Sequence, residues 1–144
     1  MRSLFDVNVL IALLDRDHVG HAVATTWFAT ELVHGWASCP VTENGTARIM
    51  SSPGYPNPLP VAAIVERLRA AKATAYHRFW ADDVSLTDVA IFNQTELLGP
   101  KQITDRYLLA LAVKNAGRLV TFDRAVRPTA VVGATTDHLV LLPG

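Results

Sequence analysis

The sequence lacks most of what disulfide chemistry, membrane insertion or bulk attraction to nucleic acid would need. It has one cysteine, Cys39, which excludes an internal disulfide and any zinc site built from several cysteines. A lone thiol fits a reducing compartment, and a cytoplasmic location is expected. No apolar run approaches the ~20 residues needed to span a bilayer. The N-terminus shows no basic segment followed by an apolar run and a cleavage site. Basic and acidic residues balance, 13 against 13. The protein therefore does not hold nucleic acid by net charge, although a local basic rim can coexist with an acidic pocket. Charged residues make up only 18%, so some apolar surface is expected to face a partner or a second copy. The phosphate-binding patterns GxGxxG and GxxxxGK[ST] are both missing. So are internal repeats and low-complexity segments.

What is present is a chain of 144 residues, half of them hydrophobic. That suits one compact domain spanning residues 1–144, with a core that needs no disulfides. Ser3-Leu4-Phe5 reads as a short strand ending at Asp6, and Val7–Leu14 as a helix. Residues 18–33 read as a second helix with Val23, Trp27, Phe28 and Leu32 on its apolar face, ended by Gly35. His18 and His21 lie one turn apart without a third ligand nearby, so packing roles are the better reading. Residues 36–39 read as a strand leading to Glu43, with a helix following through Ile49 and Thr42 as its cap. Four prolines between Ser51 and Pro60 mark an exposed loop. The next helix runs to about Ala73, and Glu66, Arg67, Arg69 and Lys72 read as its solvated face.

Residues 76–81 read as a third strand, with Asp82-Asp83 as a polar turn, since adjacent side chains of an extended segment point to opposite sides. Short helical pieces are expected over 86–98. Thr104 is expected to cap a helix over 105–116 that ends at Gly117. Residues 107–113 are apolar all round, so that helix is expected to be buried on more than one side, between the sheet and a second subunit. Leu119–Phe122 is a buried strand ending at Asp123, and residues 138–142 form a last apolar strand.

Four acids stand out by position. Asp6, Glu43 and Asp123 each follow a predicted strand, and Asp105 opens a buried helix. Each alone is explained as a helix cap or as favourable first-turn charge. Alternating strands and helices imply a mostly parallel sheet, however, and such a sheet gathers strand ends at one edge. Two carboxylates 4 Å apart repel by roughly 4 kcal/mol at an effective dielectric of 20. Either some of them protonate or a cation neutralises them. All-oxygen ligands favour Mg²⁺ or Mn²⁺ over zinc. Such ions act on phosphodiesters. Arg106 and Arg124, each beside one of the acids, suit a phosphate, and simple solvation accounts for them equally well.

With these residues in view, the chain resembles the PIN-domain ribonucleases that form the toxin half of VapBC toxin–antitoxin pairs. The matching segments are LFDVNVLIALL at 4–14, DHVGHAVATTWF at 17–28, TENGTARIM at 42–50 and ITDRYLLALAVKNAGRLVTFD at 103–123. The resemblance implies an α/β fold, a PIN-like three-layer sandwich whose five-stranded parallel sheet is flanked by helices. It implies Mg²⁺- or Mn²⁺-dependent cleavage of RNA, with Asp6, Glu43, Asp105 and Asp123 as catalytic and metal-binding residues. Asn8 and Thr121 fall where the family has supporting polar residues. Arg48, Arg106, Arg124 and the loop at 51–60 are candidates for holding RNA. It further implies a homodimer and a cognate antitoxin protein whose tail occupies the groove near the acids.

Two other functions compete. A phosphatase of the haloacid-dehalogenase type also places Asp after its first strand, but it wants a second Asp where this chain has Asn8. A non-catalytic RNA-binding module would need aromatic platforms or a basic stripe, and neither is evident.

Overall fold

The computed structural model describes residues 1–97 and 99–144. Strands β1 (Ser3–Phe5), β2 (Trp36–Ser38), β3 (His77–Phe79), β4 (Arg118–Thr121) and β5 (Leu139–Leu141) form one parallel sheet in the order β3-β2-β1-β4-β5. The chain lays down β1, β2 and β3 toward one side, then returns to add β4 and β5 on the other. The order therefore reverses between β1 and β4. In open parallel sheets, the crevice beyond the carboxyl ends of such a strand pair is the usual ligand position.

Alternation along the strands builds two layers of core. Leu4 and Leu119 face helix α5 (Ile103–Lys114), with Cys39, Trp80, Phe92 and Leu108. Phe5 and Val120 face the other way, onto Val9 and Leu10 of α1 (Val7–Leu14) and Ala24 of α2 (His21–Glu31). Helix α3 (Pro40–Met50) packs on α1 and on α4 (Val61–Lys72), and Ile11 of α1 joins Met50, Ile64 and Leu68 in one apolar cluster. Gly45 is needed here, because a Cβ at this position would lie 2.7 Å from Val7 Cγ2.

Several boundaries differ from the sequence reading. The second helix starts at His21 rather than His18, and a 3₁₀ turn at Leu32–His34 precedes Gly35, whose φ of 75° supports the helix stop. Helix α3 begins at Pro40, so Thr42 lies inside its first turn and caps backwards, accepting the Cys39 N–H at 3.0 Å. Helix α5 begins at Ile103 after a 3₁₀ turn at Pro100–Gln102, so Thr104 is not its cap. At its far end Ala116 takes the left-handed backbone (φ 54°), while Gly117 is required because a Cβ there would meet Arg2 O at 2.6 Å.

The all-round burial of α5 needs no second subunit. The segment around Val84 and Phe92, joined to Val131 by an antiparallel bridge, covers the face turned away from the sheet. The expected helical pieces over 86–98 are represented by one 3₁₀ turn at Gln94–Glu96, and Leu98 lies outside the described residues. Among the described residues no helix is long and apolar enough to cross a membrane.

Candidate active site

The register of β1 on β4 sets the site. Phe5 pairs with Val120, so the next residues, Asp6 and Thr121, stand side by side where the strand order reverses. Asp6 N–H donates to Val120 O at 3.0 Å and fixes the backbone there. The Asp6 carboxylate then serves two partners. Oδ1 accepts the Val7 N–H at 2.7 Å and caps α1, and Oδ2 accepts the Thr121 hydroxyl at 2.7 Å. The capping role read from the sequence thus coexists with a second one.

Thr121 is fully buried and acts as a hub. Besides donating to Asp6, its Oγ1 accepts the Asp123 N–H at 3.0 Å and the Asn8 side-chain N–H at 3.3 Å. Asn8 Oδ1 accepts the Phe122 N–H at 3.3 Å. The two supporting residues therefore tie the Asp6 turn to the Asp123 turn. Asp123 itself is exposed, and its Oδ1 accepts the Ala125 N–H at 2.8 Å.

Asp105 reaches the same edge because α5 runs antiparallel to β4, so its first turn lies where β4 ends. Its side chain is 7% exposed, and neither carboxylate oxygen has a hydrogen-bond partner among the described residues. Burial raises its pKa to about 6, and the charges of Asp123 and Asp6 add to the rise. The nearby Arg106 backbone N–H and guanidinium oppose it. Asp6 is also raised, first by burial and then by Asp123, against the hydrogen bonds from Thr121 and Val7. The charge of Asp123 therefore acts on both Asp6 and Asp105, and Asp105 is left short of compensating partners. Buried carboxylates are normally matched, so this deficit marks a place for a cation or a proton.

Glu43 lies at the same sheet edge but turns away from the trio. Its Oε2 accepts the Ser38 hydroxyl at 2.6 Å and pairs with Lys72 Nζ at 2.9 Å, at the end of α4. It is not among the charges acting on Asp6 or Asp105. Ser38 Oγ also lies 2.8 Å from His77 Nε2. Since the Ser38 proton goes to Glu43, that ring nitrogen is the one carrying hydrogen. His77 packs on Trp36 with centroids 4.4 Å apart. Its pKa is lowered to about 4, first by burial and then by Lys72. Ser38, His77 and the functional side of Lys72 were not legible in the sequence, because residues 38, 43, 72 and 77 meet only through the β2–β3 pairing and the end of α4.

The arginines separate. Arg106 is 5% exposed and beside Asp105, with Nε and Nη1 unmatched among the described residues. Arg124 is exposed next to Asp123, and Arg48 is exposed in the last turn of α3. No described hydrogen bond or ion pair joins either guanidinium to the aspartates. The histidines are structural, as the sequence favoured: His18 Nδ1 accepts the Gly20 N–H at 2.9 Å, and His21 Nδ1 lies 2.7 Å from Ala12 O. Asp82 accepts the Val41 N–H at 3.1 Å and Asp83 pairs with Lys114 at 3.0 Å, consistent with a polar turn.

Comparison with known proteins decides the family, since the PIN domain family matches residues 3–131. The chain belongs to the PIN-domain family, in its VapC branch. Ribonuclease VapC44 of Mycobacterium tuberculosis is 51% identical over 142 residues, covering 99% of this chain and all of that one. Ribonuclease VapC39 of the same organism is 41% identical, covering 92% of this chain and 96% of that one. In fold, the chain resembles the crystal structure of Mycobacterium tuberculosis VapC20, described as a Sarcin-Ricin loop cleaving toxin. The TM-score is 0.58 at 13% identity, with 81% of this chain and 85% of that chain covered. The five-stranded parallel sheet with its flanking helices is thus the PIN arrangement expected from the sequence.

As a test for a metal, the trio offers only oxygen donors, two of them the unmatched oxygens of Asp105. Among the described residues no three acidic, histidine or cysteine side chains converge tightly enough to enclose an ion by themselves. Mg²⁺ keeps several waters and needs only one or two protein carboxylates. The residues therefore fit a hard, partly hydrated cation and do not form a closed protein cage.

Proposed function

We propose that this protein is an endoribonuclease that hydrolyses RNA phosphodiester bonds with Mg²⁺ or Mn²⁺, as the toxin of a toxin–antitoxin pair. The observation that carries the reading is the buried Asp105 carboxylate, without a hydrogen-bond partner among the described residues, beside Asp6 and Asp123 at the β1–β4 crevice. Relatives named ribonuclease, at 51% and 41% identity over nearly the whole chain, support the reaction class.

Asp6, Asp105 and Asp123 would hold the ion, with Glu43 as a fourth acid nearby. When bound, the ion supplies activation of water and compensation for charge building on the phosphate. The chain's own part is positional. Thr121 and Asn8 hold the Asp6 and Asp123 turns at fixed spacing. Arg106 is the strongest candidate for the phosphate, because two N–H-bearing nitrogens of its buried guanidinium are unmatched among the described residues. Arg124 and Arg48 are exposed cations that suit flanking RNA.

An antitoxin partner and a homodimer belong to the same reading. An apolar cleft of about 450 Å³ opens between α1, α2 and α4, lined by Phe5, Leu10, Leu13, Phe28, Trp36 and Leu68. It has the chemistry to receive the apolar face of a partner helix. Exposed Ile49, Val61 and Val65 on α3 and α4 suit contact with a second copy.

Purified wild type is expected to cut RNA with Mg²⁺ or Mn²⁺ and to stop in excess EDTA, while Asp6→Ala folds and does not cut. Undiminished cleavage in the mutant or in EDTA would refute the site. Induced expression of the wild type is expected to slow growth, and Asp6→Ala is not. Equal growth in both would refute the toxin role and leave the nuclease standing.

A further inference from the structure

Glu43 is the one acid of the four whose charge is already answered. Lys72 Nζ is 2.9 Å from Oε2 and the Ser38 hydroxyl is 2.6 Å from the same oxygen. Ser38 is held in turn by His77 on the edge strand, and His77 is fixed against Trp36. The Lys72 ammonium also lies 5.0 Å from the Phe79 ring centroid. Glu43, Lys72 and the residues that hold them thus form a separate, compensated unit at the β2–β3 side of the edge.

The backbone that carries Glu43 nevertheless belongs to the crevice. Two residues on, Gly45 packs directly on Val7, the neighbour of Asp6, in a contact that leaves no room for a Cβ. Glu43 therefore sits on a helix that packs against the neighbour of Asp6, while its carboxylate is held on the α4 side by Lys72 and Ser38. We propose that Lys72 is a positioning residue that competes with the metal for Glu43, so that Glu43 joins Asp6, Asp105 and Asp123 only when its ion pair with Lys72 opens. This rests on the metal-dependent reading of the trio.

The pair is partly exposed, with side chains 28% and 20% accessible for Lys72 and Glu43, and such pairs are modest in strength. Releasing Glu43 is therefore expected to tighten metal binding by about threefold, the scale of a partly exposed ion pair. The test is calorimetric titration of MnCl₂ into the full-length, metal-free protein for wild type, Lys72→Met, Glu43→Gln and the double variant, with circular dichroism to establish folding. Lys72→Met is expected to tighten Mn²⁺ binding and Glu43→Gln to weaken it. In the Glu43→Gln background, Lys72→Met is expected to change nothing. Unchanged or weaker binding in Lys72→Met would overturn the proposal while leaving the trio intact. Equal tightening with and without Glu43 would overturn it too, because the effect would then be simple removal of a cation. Absence of Mn²⁺ binding by the wild type would refute the metal site itself, and this inference with it.

Discussion

On the β1–β4 side of the sheet edge, Asp105 is buried with neither carboxylate oxygen matched by a hydrogen bond among the described residues, and burial raises its pKa to about 6 against the opposing effect of Arg106. On the β2–β3 side, Glu43 receives a hydroxyl at 2.6 Å and an ammonium at 2.9 Å. The same chemical group, at one edge of one sheet, is left short of partners in one place and fully answered in the other. Folding could have matched Asp105 with a lysine as it matched Glu43. The difference supports the proposed position of the ion, on the side where the carboxylate is buried and short of partners.

The largest effect should come from removing a member of the uncompensated side. Asp6→Ala or Asp123→Ala is expected to lower the rate of RNA cleavage by about 10²-fold or more, the scale on which removing one preorganised electrostatic group acts. Gel-based cleavage assays on the folded variants measure this. A fall of less than tenfold would place the chemistry elsewhere.

Next is the cost of leaving Asp105 ionised. Its pKa in the folded protein lies above the ordinary 3.8, at about 6. Between those values the native state keeps a proton that the unfolded chain has released, so stability of the metal-free protein falls as pH rises through that window. Asp105→Asn should therefore melt roughly 5 °C higher than wild type at neutral pH, with the gap closing below the lower pKa. An equal or lower melting temperature at neutral pH would mean that Asp105 is compensated after all.

Thr121→Val keeps the shape of the side chain and removes the hub between the Asp6 and Asp123 turns. It should cost about 1 kcal/mol of stability and about tenfold in cleavage. Loss of stability with full activity would make the hub purely structural. The smallest effect belongs to the compensated side, where Lys72→Met should change the stability of the metal-free protein by less than about 1 kcal/mol. A larger loss in chemical denaturation would mark the Lys72–Glu43 pair as part of the fold's foundation.

Much of this architecture is legible in the sequence. The alternation of short apolar runs and helical spacing located all five strands. The resemblance gave the sheet, and the four acids were visible because three follow strand ends. Boundaries at α3 and α5 were displaced because Cys39 and Gln102, which start those helices, carry no strong capping signal, while Thr42 and Thr104 do. The covering of α5 by residues around Phe92 and Val131 was not legible, since it depends on an antiparallel bridge between irregular segments. Neither was the direction in which Glu43 points. A strand end tells where a carboxylate starts, and its partner on α4, distant in sequence, decides where it turns.

The central claim is that Asp6, Asp105 and Asp123 together form a site completed by a divalent cation. Calorimetric titration of Mn²⁺ into metal-free wild type and Asp105→Asn tests it most directly, with Asp83→Asn, an exposed carboxylate paired with Lys114, as the control. Saturable binding in wild type and Asp83→Asn, lost in Asp105→Asn, is the predicted result. Binding that survives in Asp105→Asn with the wild-type constant would contradict the account.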